Sequence, residues 1–356
     1  SGRLATVGRP RAGDTVDPST LYAPLDRVAG APGEHRPAAF DHCQGEQPLL
    51  AGEGAGRSCR VARTMGGCMI DSHSHTSYSK HATGTVDELV RASIAAGVTI
   101  LTITDHAPFP VDTDNRLLAS ELDRYFADIE RARKIYQGQI TILCGLELDY
   151  MPGTDAFNRE LLTRYPMDFV IGSIHYVEIP DETMVKVWEL PRLAGQTFLD
   201  RYFANLEGLL DSGLFDAVGH ADTLLRGVPE DIFLRRFEPL LAPLTRSGIA
   251  FELNASGLRK SSLDPATGRE VQGLWSYPSR ELVAQLIAHE VPFTVGSDTH
   301  DPSDAGCGIA ELLTALRPLG LKRISYYERR RRIDVALDSL PLLGTPATLT
   351  EGLERP

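Results

Sequence analysis

Hydrophobic and polar positions change character at residue 69. Before it no period holds for long. After it, short apolar runs alternate with amphipathic stretches. VTILTIT (98–104) is β-branched and almost continuous, the mark of a strand buried on both faces. ITILCGLELD (140–149), FVIGSIH (169–175), FDAVGHAD (215–222), IAFELN (249–254) and PFTVGSD (292–298) repeat the theme, and Met69–Asp71 makes a short apolar lead. Between them the spacing predicts helices. Thr85 with Glu88 matches a capping box, and Val86, Leu89, Val90, Ser93 and Ile94 share a face up to Gly97. Ser120 with Asp123 opens a second helix that reaches about Tyr136; further helices are expected over 195–212, 230–246 and 279–290.

Seven strand candidates alternating with helices predict an α/β fold with a mostly parallel sheet, either barrel or doubly wound. Polar clusters favour the barrel. Nearly every one follows the C-terminal end of a strand candidate, and in a barrel those ends converge on one mouth. Residues 1–68 are rich in Gly, Pro, Ala and Arg, without a sustained period. They read as an irregular extension, with Met69 a natural start for the working domain. The barrel is expected over 69–341 and a tail over 342–356.

The clusters are rich in imidazole and carboxylate. DSHSHTSYSKH carries His73 and His75, two apart and so on one side of a strand end, then His81. TDH adds Asp105 and His106; GLELDY adds Glu147 and Asp149; GSIHY adds His175; GHAD adds His220 and Asp222; GSDTH adds Asp298 and His300. Such a donor set suits Zn, Mn or Fe. Seven histidines with Glu147 and Asp298 exceed the needs of one ion, so two or three are implied, with a bridging acid letting neighbours share an activated water. A lone buried histidine is ordinarily a hydrogen-bonded core residue. Seven at successive strand ends do not fit that reading.

These strings, with TDHAPFP, ELNASGLRK and GSDTHDPSDAG, run in order from residue 71 to 306 and resemble the PHP-domain metallohydrolases, particularly the histidinol-phosphatase branch. The resemblance implies a distorted TIM-like (β/α)7 barrel and three divalent ions. It implies His73, His75, Glu147 and Asp298 on the first, Glu147, His175 and His220 on the second, and His81, His106 and His300 on the third. Asp71 and Asp105 would be supporting acids that orient ligands. Arg259 would clamp phosphate, with Lys260 the second candidate and Asn254 holding the turn or touching substrate. His220 or His300 would protonate the leaving alkoxide.

The implied activity is hydrolysis of L-histidinol phosphate, a small phosphorylated metabolite, to L-histidinol and phosphate. The rivals are a broader phosphoesterase acting on nucleotides or other esters, and a non-catalytic metal-binding module; the full ligand set argues against the second.

Composition adds boundaries. Of 356 residues, 42% are apolar and 24% charged, ordinary for a globular chain. The net charge of −12 argues against nucleic acid as a partner. The sequence carries no uninterrupted apolar stretch of spanning length and no basic–apolar leader, so no membrane role is expected and cytoplasm is the default. A homo-oligomer remains open. The five cysteines lack a CxxC pair and do not read as a disulfide framework; Cys144, inside a strand candidate, reads as core. Arg329–Arg332 reads as a solvated helical face, although RISYY (323–327) could form a strand.

Overall fold

The computed structural model describes residues 68–180, 183–272 and 275–340. The expected extension and tail lie outside the described residues, apart from Cys68. Seven parallel strands carry the fold: β1 (Met69–Asp71), β2 (Val98–Ile103), β3 (Thr141–Asp149), β4 (Phe169–Ser173), β5 (Ala217–Val218), β6 (Ala250–Asn254) and β7 (Phe293–Gly296). They neighbour one another in chain order. The sheet then closes on itself: Ser72 N donates to Val295 O at 2.9 Å, Asp298 N to His73 O at 2.8 Å, and His75 N to Thr299 O at 2.9 Å. This is the expected near-closed, distorted barrel.

Helices cover its outside: α1 (Val86–Ala96), α2 (Leu122–Ile135), α3 (Asp155–Arg164), α4 (Gln196–Ser212), α5 (Glu230–Phe237), α6 (Leu241–Ser247), α7 (Arg280–Ala288) and α8 (Ile309–Leu316). Helix α1 opens on the Thr85–Glu88 capping box and stops at Gly97, whose φ of 86° is left-handed. The stretch expected as one helix over 230–246 is broken into α5 and α6 by a 3-10 turn at Glu238–Leu240. Pro239 is the physical cause, since it has no N–H to continue the ladder. Among the described residues no helix is long and apolar enough to cross a membrane.

Strand alternation sorts the side chains. On β3, Ile142, Cys144, Leu146 and Leu148 join the core under the helices, while Glu147 and Asp149 face the other way, still fully buried. Cys144 is a buried core thiol, and burial pushes its pKa up. The lower barrel interior holds Phe169, Ile171, Ala217, Ala250 and Tyr327.

Tyr327 arrives from an antiparallel hairpin, Arg323–Glu328 with Arg331–Ala336, so the strand expected at 323–327 is present. The expected helical face at Arg329–Arg332 is not. Arg329 and Arg330 form the hairpin turn, with φ of 50° and 64°. Asp168 fixes that turn, its carboxylate accepting from Arg329 N and its carbonyl from Arg330 N, both at 2.9 Å. Arg330 then reaches under the barrel to the Asp216 carboxylate and, at 2.6 Å, to Leu214 O. The run is therefore a turn and strand rather than a helix, but Arg329, Arg331 and Arg332 are exposed as expected, and only Arg330 is drawn partly under the barrel.

Candidate metal centre

Each expected ligand stands at the carboxyl end of a barrel strand or in the loop after it, because those ends meet at one mouth. His73 and His75 follow β1, His106 follows β2, Glu147 lies on β3, and His175 follows β4. His220 follows β5, and Asp298 and His300 follow β7.

Glu147 is the hub. Its Oε1 lies 2.9 Å from His220 Nε2 and 3.4 Å from His175 Nε2. Its Oε2 lies 2.9 Å from His106 Nδ1, 3.3 Å from His73 Nε2 and 3.6 Å from His75 Nε2. Asp298 Oδ1 approaches His75 Nε2 at 3.3 Å and His73 Nε2 at 3.8 Å. Four compact donor groups result: His73–His75–Asp298, His106–Glu147–His175, His75–His106–His300 and His73–His220–Glu252. The first lies wholly within the first expected ligand set. The next two cross the expected boundaries, because His75, His106 and Glu147 sit between neighbouring positions. His81 lies just outside the compact groups. Its exposed ring is 4.8 Å from that of His300 and 5.2 Å from that of His106, and its Nδ1 meets the carbonyls of Ser79 and Asn115.

The donors fit cations on two counts. Glu147 Oε2 and His106 Nδ1 are buried without a hydrogen-bond partner. An unsatisfied buried carboxylate oxygen is costly unless something positive meets it. Three of the imidazoles are also held neutral, as ligands must be. Burial lowers His75 to about 4 and takes His106 and His300 well below the ordinary histidine value. His73 and His175 differ. Burial opposes their protonation, but Glu252, Glu147 and Asp298 outweigh it at His73, and Asp149 and Glu147 outweigh it at His175, so both pKa values are raised. Two of the donors also sit in strained backbone: His220 at φ 22° and Asp298 at φ 51°.

Asp105 and Asp71, expected as supporting acids, accept hydrogen bonds beside the donor cluster. Asp105 accepts from Thr76 N, Thr76 Oγ1, Ser79 N and Ser79 Oγ at 2.7–3.1 Å, and Ser79 Oγ touches His75 Nδ1 at 3.2 Å. Asp71 accepts from Ser297 N and Oγ, next to Asp298. Asn254 is fully spent inside the protein: its Nδ2 donates to Glu252 and Asp298, and its Oδ1 accepts from Ser256 N and Oγ. Arg259 is engaged with backbone, donating to the carbonyls of Cys307 at 3.0 Å and Ser297 at 2.9 Å. Lys260 is the cation that reaches the cluster, with Nζ 2.8 Å from Asp298 Oδ2.

Sequence reading gave no role to three buried groups. Asp149 accepts from Arg116 Nη1 at 2.7 Å and sits 2.8 Å from His175 Nδ1, so the ring's Nε2 is turned to Glu147. Glu252 does the same for His73. Asp149 stood in a polar cluster and Glu252 in ELNASGLRK, which were the available signals; Arg116 stood in none.

The PHP-domain family model matches residues 71–256, more than half of the chain. The chain belongs to the PHP family. Within it, the chain sits on the histidinol-phosphatase branch, as a PHP-fold phosphoesterase. A probable histidinol-phosphatase of Deinococcus radiodurans is 32% identical over 272 residues, covering 74% of this chain and 98% of the relative. The histidinol-phosphatase of Bacillus subtilis is 26% identical, covering 66% of this chain and 95% of the relative. The PHP barrel also matches a crystal structure of the Lactococcus lactis histidinol phosphate phosphatase, solved with Zn, L-histidinol and phosphate. That match has a TM-score of 0.59 and 20% identity, covering 74% of this chain and 98% of the other, and at that identity it speaks for the fold.

Proposed function

We propose that this PHP phosphoesterase hydrolyses L-histidinol phosphate to L-histidinol and inorganic phosphate. The observation that carries the reading is the Glu147 hub, with five imidazoles on one buried carboxylate. Three divalent ions are assigned: one to His73, His75, Glu147 and Asp298, one to Glu147, His175 and His220, and one to His81, His106 and His300. Zn, Mn and Fe all suit these donors. When bound, such ions supply Lewis-acid stabilisation and an activated water for in-line attack on phosphorus.

The chain's own residues prepare that step. Glu147 brings the donor groups into one frame. Asp298 divides its work: Oδ1 faces the histidines, while Oδ2 is held by Lys260 Nζ, Ser256 Oγ at 2.9 Å and Asn254 Nδ2 at 3.3 Å. Lys260, about one third exposed, is placed to meet a phosphoryl oxygen as charge builds. Arg259 anchors the loop that delivers it, which revises the role expected for that residue. His300, with 30% of its side chain exposed, is the more accessible of the two candidates at the leaving alkoxide, where a ring held neutral would position the oxygen rather than protonate it. His220 is buried against Glu147.

The reading is tested by a panel of phosphate esters assayed alongside the metal content. Histidinol phosphate should exceed nucleotides and simple monoesters in kcat/KM by at least tenfold. Equal turnover across the panel would replace it with a broad phosphoesterase. Bound metal without hydrolysis of any ester would leave a metal-binding module.

A further inference from the structure

Strand β6 alternates like β3. Phe251 and Leu253 point to the helices, and Glu252 points into the barrel, where it is fully buried. Space for it is scarce. A Cβ on Gly296 would meet Glu252 Oε1 at 2.9 Å and His73 Cβ at 2.3 Å. Each Glu252 oxygen has a donor. Oε1 lies 2.6 Å from His73 Nδ1; Oε2 accepts from His220 N at 2.8 Å and from Asn254 Nδ2 at 3.2 Å.

This pattern discriminates between two roles. A metal ligand must present a lone pair to the ion. Glu252 Oε2 instead faces two N–H groups that cannot lose their protons. An ionised carboxylate only accepts, so at 2.6 Å His73 Nδ1 carries a ring proton, and Nε2 is the nitrogen left to offer a lone pair to an ion. That Nε2 is the atom facing Glu147 and Asp298. On its other side, Glu252 holds the amide of His220, the residue with the strained φ of 22°. His73 and His220 belong to different ion positions in the proposed assignment.

We propose that Glu252 is a positioning residue that locks the His73 tautomer and the His220 backbone together, and so sets the affinity of two neighbouring ions without touching either. The inference rests on the metal part of the proposed function and not on its substrate.

The test is a Zn²⁺ titration of the metal-stripped full chain, with affinities and the ion count at saturation measured for the unaltered protein, Glu252→Gln and Glu252→Asp. A glutamine offers one acceptor oxygen where three donors wait. Glu252→Gln should reach the full ion count at saturation, with two ions bound 10–100-fold more weakly and the ion at His81, His106 and His300 unchanged, on the order seen when partners of ligand histidines are removed. Glu252→Asp keeps the charge, should fall between, and carries the test if the glutamine variant does not fold. Unchanged affinities in both variants would overturn the proposal. A saturated count reduced by one would overturn it differently, by making Glu252 a ligand. No Zn²⁺ uptake by the unaltered chain would remove the metal reading itself, which is distinguishable from either.

Discussion

Glu147 Oε2 and His106 Nδ1 lie 2.9 Å apart, buried, and neither has a hydrogen-bond partner. Two polar atoms that approach so closely without a proton aligned between them are better explained as donors turned toward a common cation. The same oxygen is within 3.6 Å of two further imidazole nitrogens.

Glu147→Gln keeps the shape and removes the shared charge. The variant should retain at most one of the assigned ions after dialysis and lose at least a hundredfold in turnover, with metal content read by mass spectrometry. Full metal content with wild-type turnover would end the bridging assignment.

Lys260 and Arg259 are adjacent but differently employed, so their variants should separate. Lys260→Met removes a charge beside Asp298 and should lower kcat/KM by about 10–100-fold, in the range of a lost transition-state donor. Arg259→Met frees two carbonyls of the loop and should act chiefly through thermal stability. Steady-state kinetics with melting curves decide; the reverse split would restore Arg259 as the phosphate clamp.

Arg116 is 2% exposed and is shared among Asp149, Tyr176 Oη at 3.0 Å and the carbonyls of Ala107 and Asp112. Arg116→Met would leave the Asp149 carboxylate buried without its strongest partner. A broken buried pair costs about 3–5 kcal/mol. Urea unfolding should show a loss of that order, and His175, held by Asp149, should bind its ion more weakly. A variant as stable as the unaltered chain would show that Asp149 is satisfied without Arg116.

At the opposite end of the barrel, burial raises Asp216 to about 6, although Arg330 and the Val170 amide pull it down. The folded chain therefore holds this proton more tightly than the unfolded one, whose value is near 3.8. The resulting stabilisation is complete below about pH 4 and is lost as pH rises to 6. Asp216→Asn lacks that dependence. Between pH 4 and 6 the unaltered chain should lose about 2–3 kcal/mol relative to the variant. Parallel stability curves would contradict the shift.

The chain's periodicity was enough for alternating strands and helices, and the polar clusters favoured a barrel over a doubly wound sheet. A continuous β-branched run such as VTILTIT reads as a buried strand, and a polar cluster after nearly every strand favours ends that converge. The spacing of His73 with His75 and of Asp298 with His300 was likewise legible, since residues two apart at a strand end share a side. Other features depend on partners far away in sequence. Glu252 looked like any acid in a strand; its neighbours His73 and Asn254 lie 179 residues away and two away. Arg259 and Lys260 are equivalent as letters, and only the fold turns one to Ser297 O and the other to Asp298. The arginines at 329–332 are largely solvated as read, but only the fold brings Asp168 to their turn and Asp216 to Arg330. Local pattern determined the strands and the donor inventory, because those follow from side-chain period and chemical type. Tertiary structure alone decided which oxygen faces which nitrogen, because a buried charge takes its role from what closure of the barrel places within about 3 Å of it.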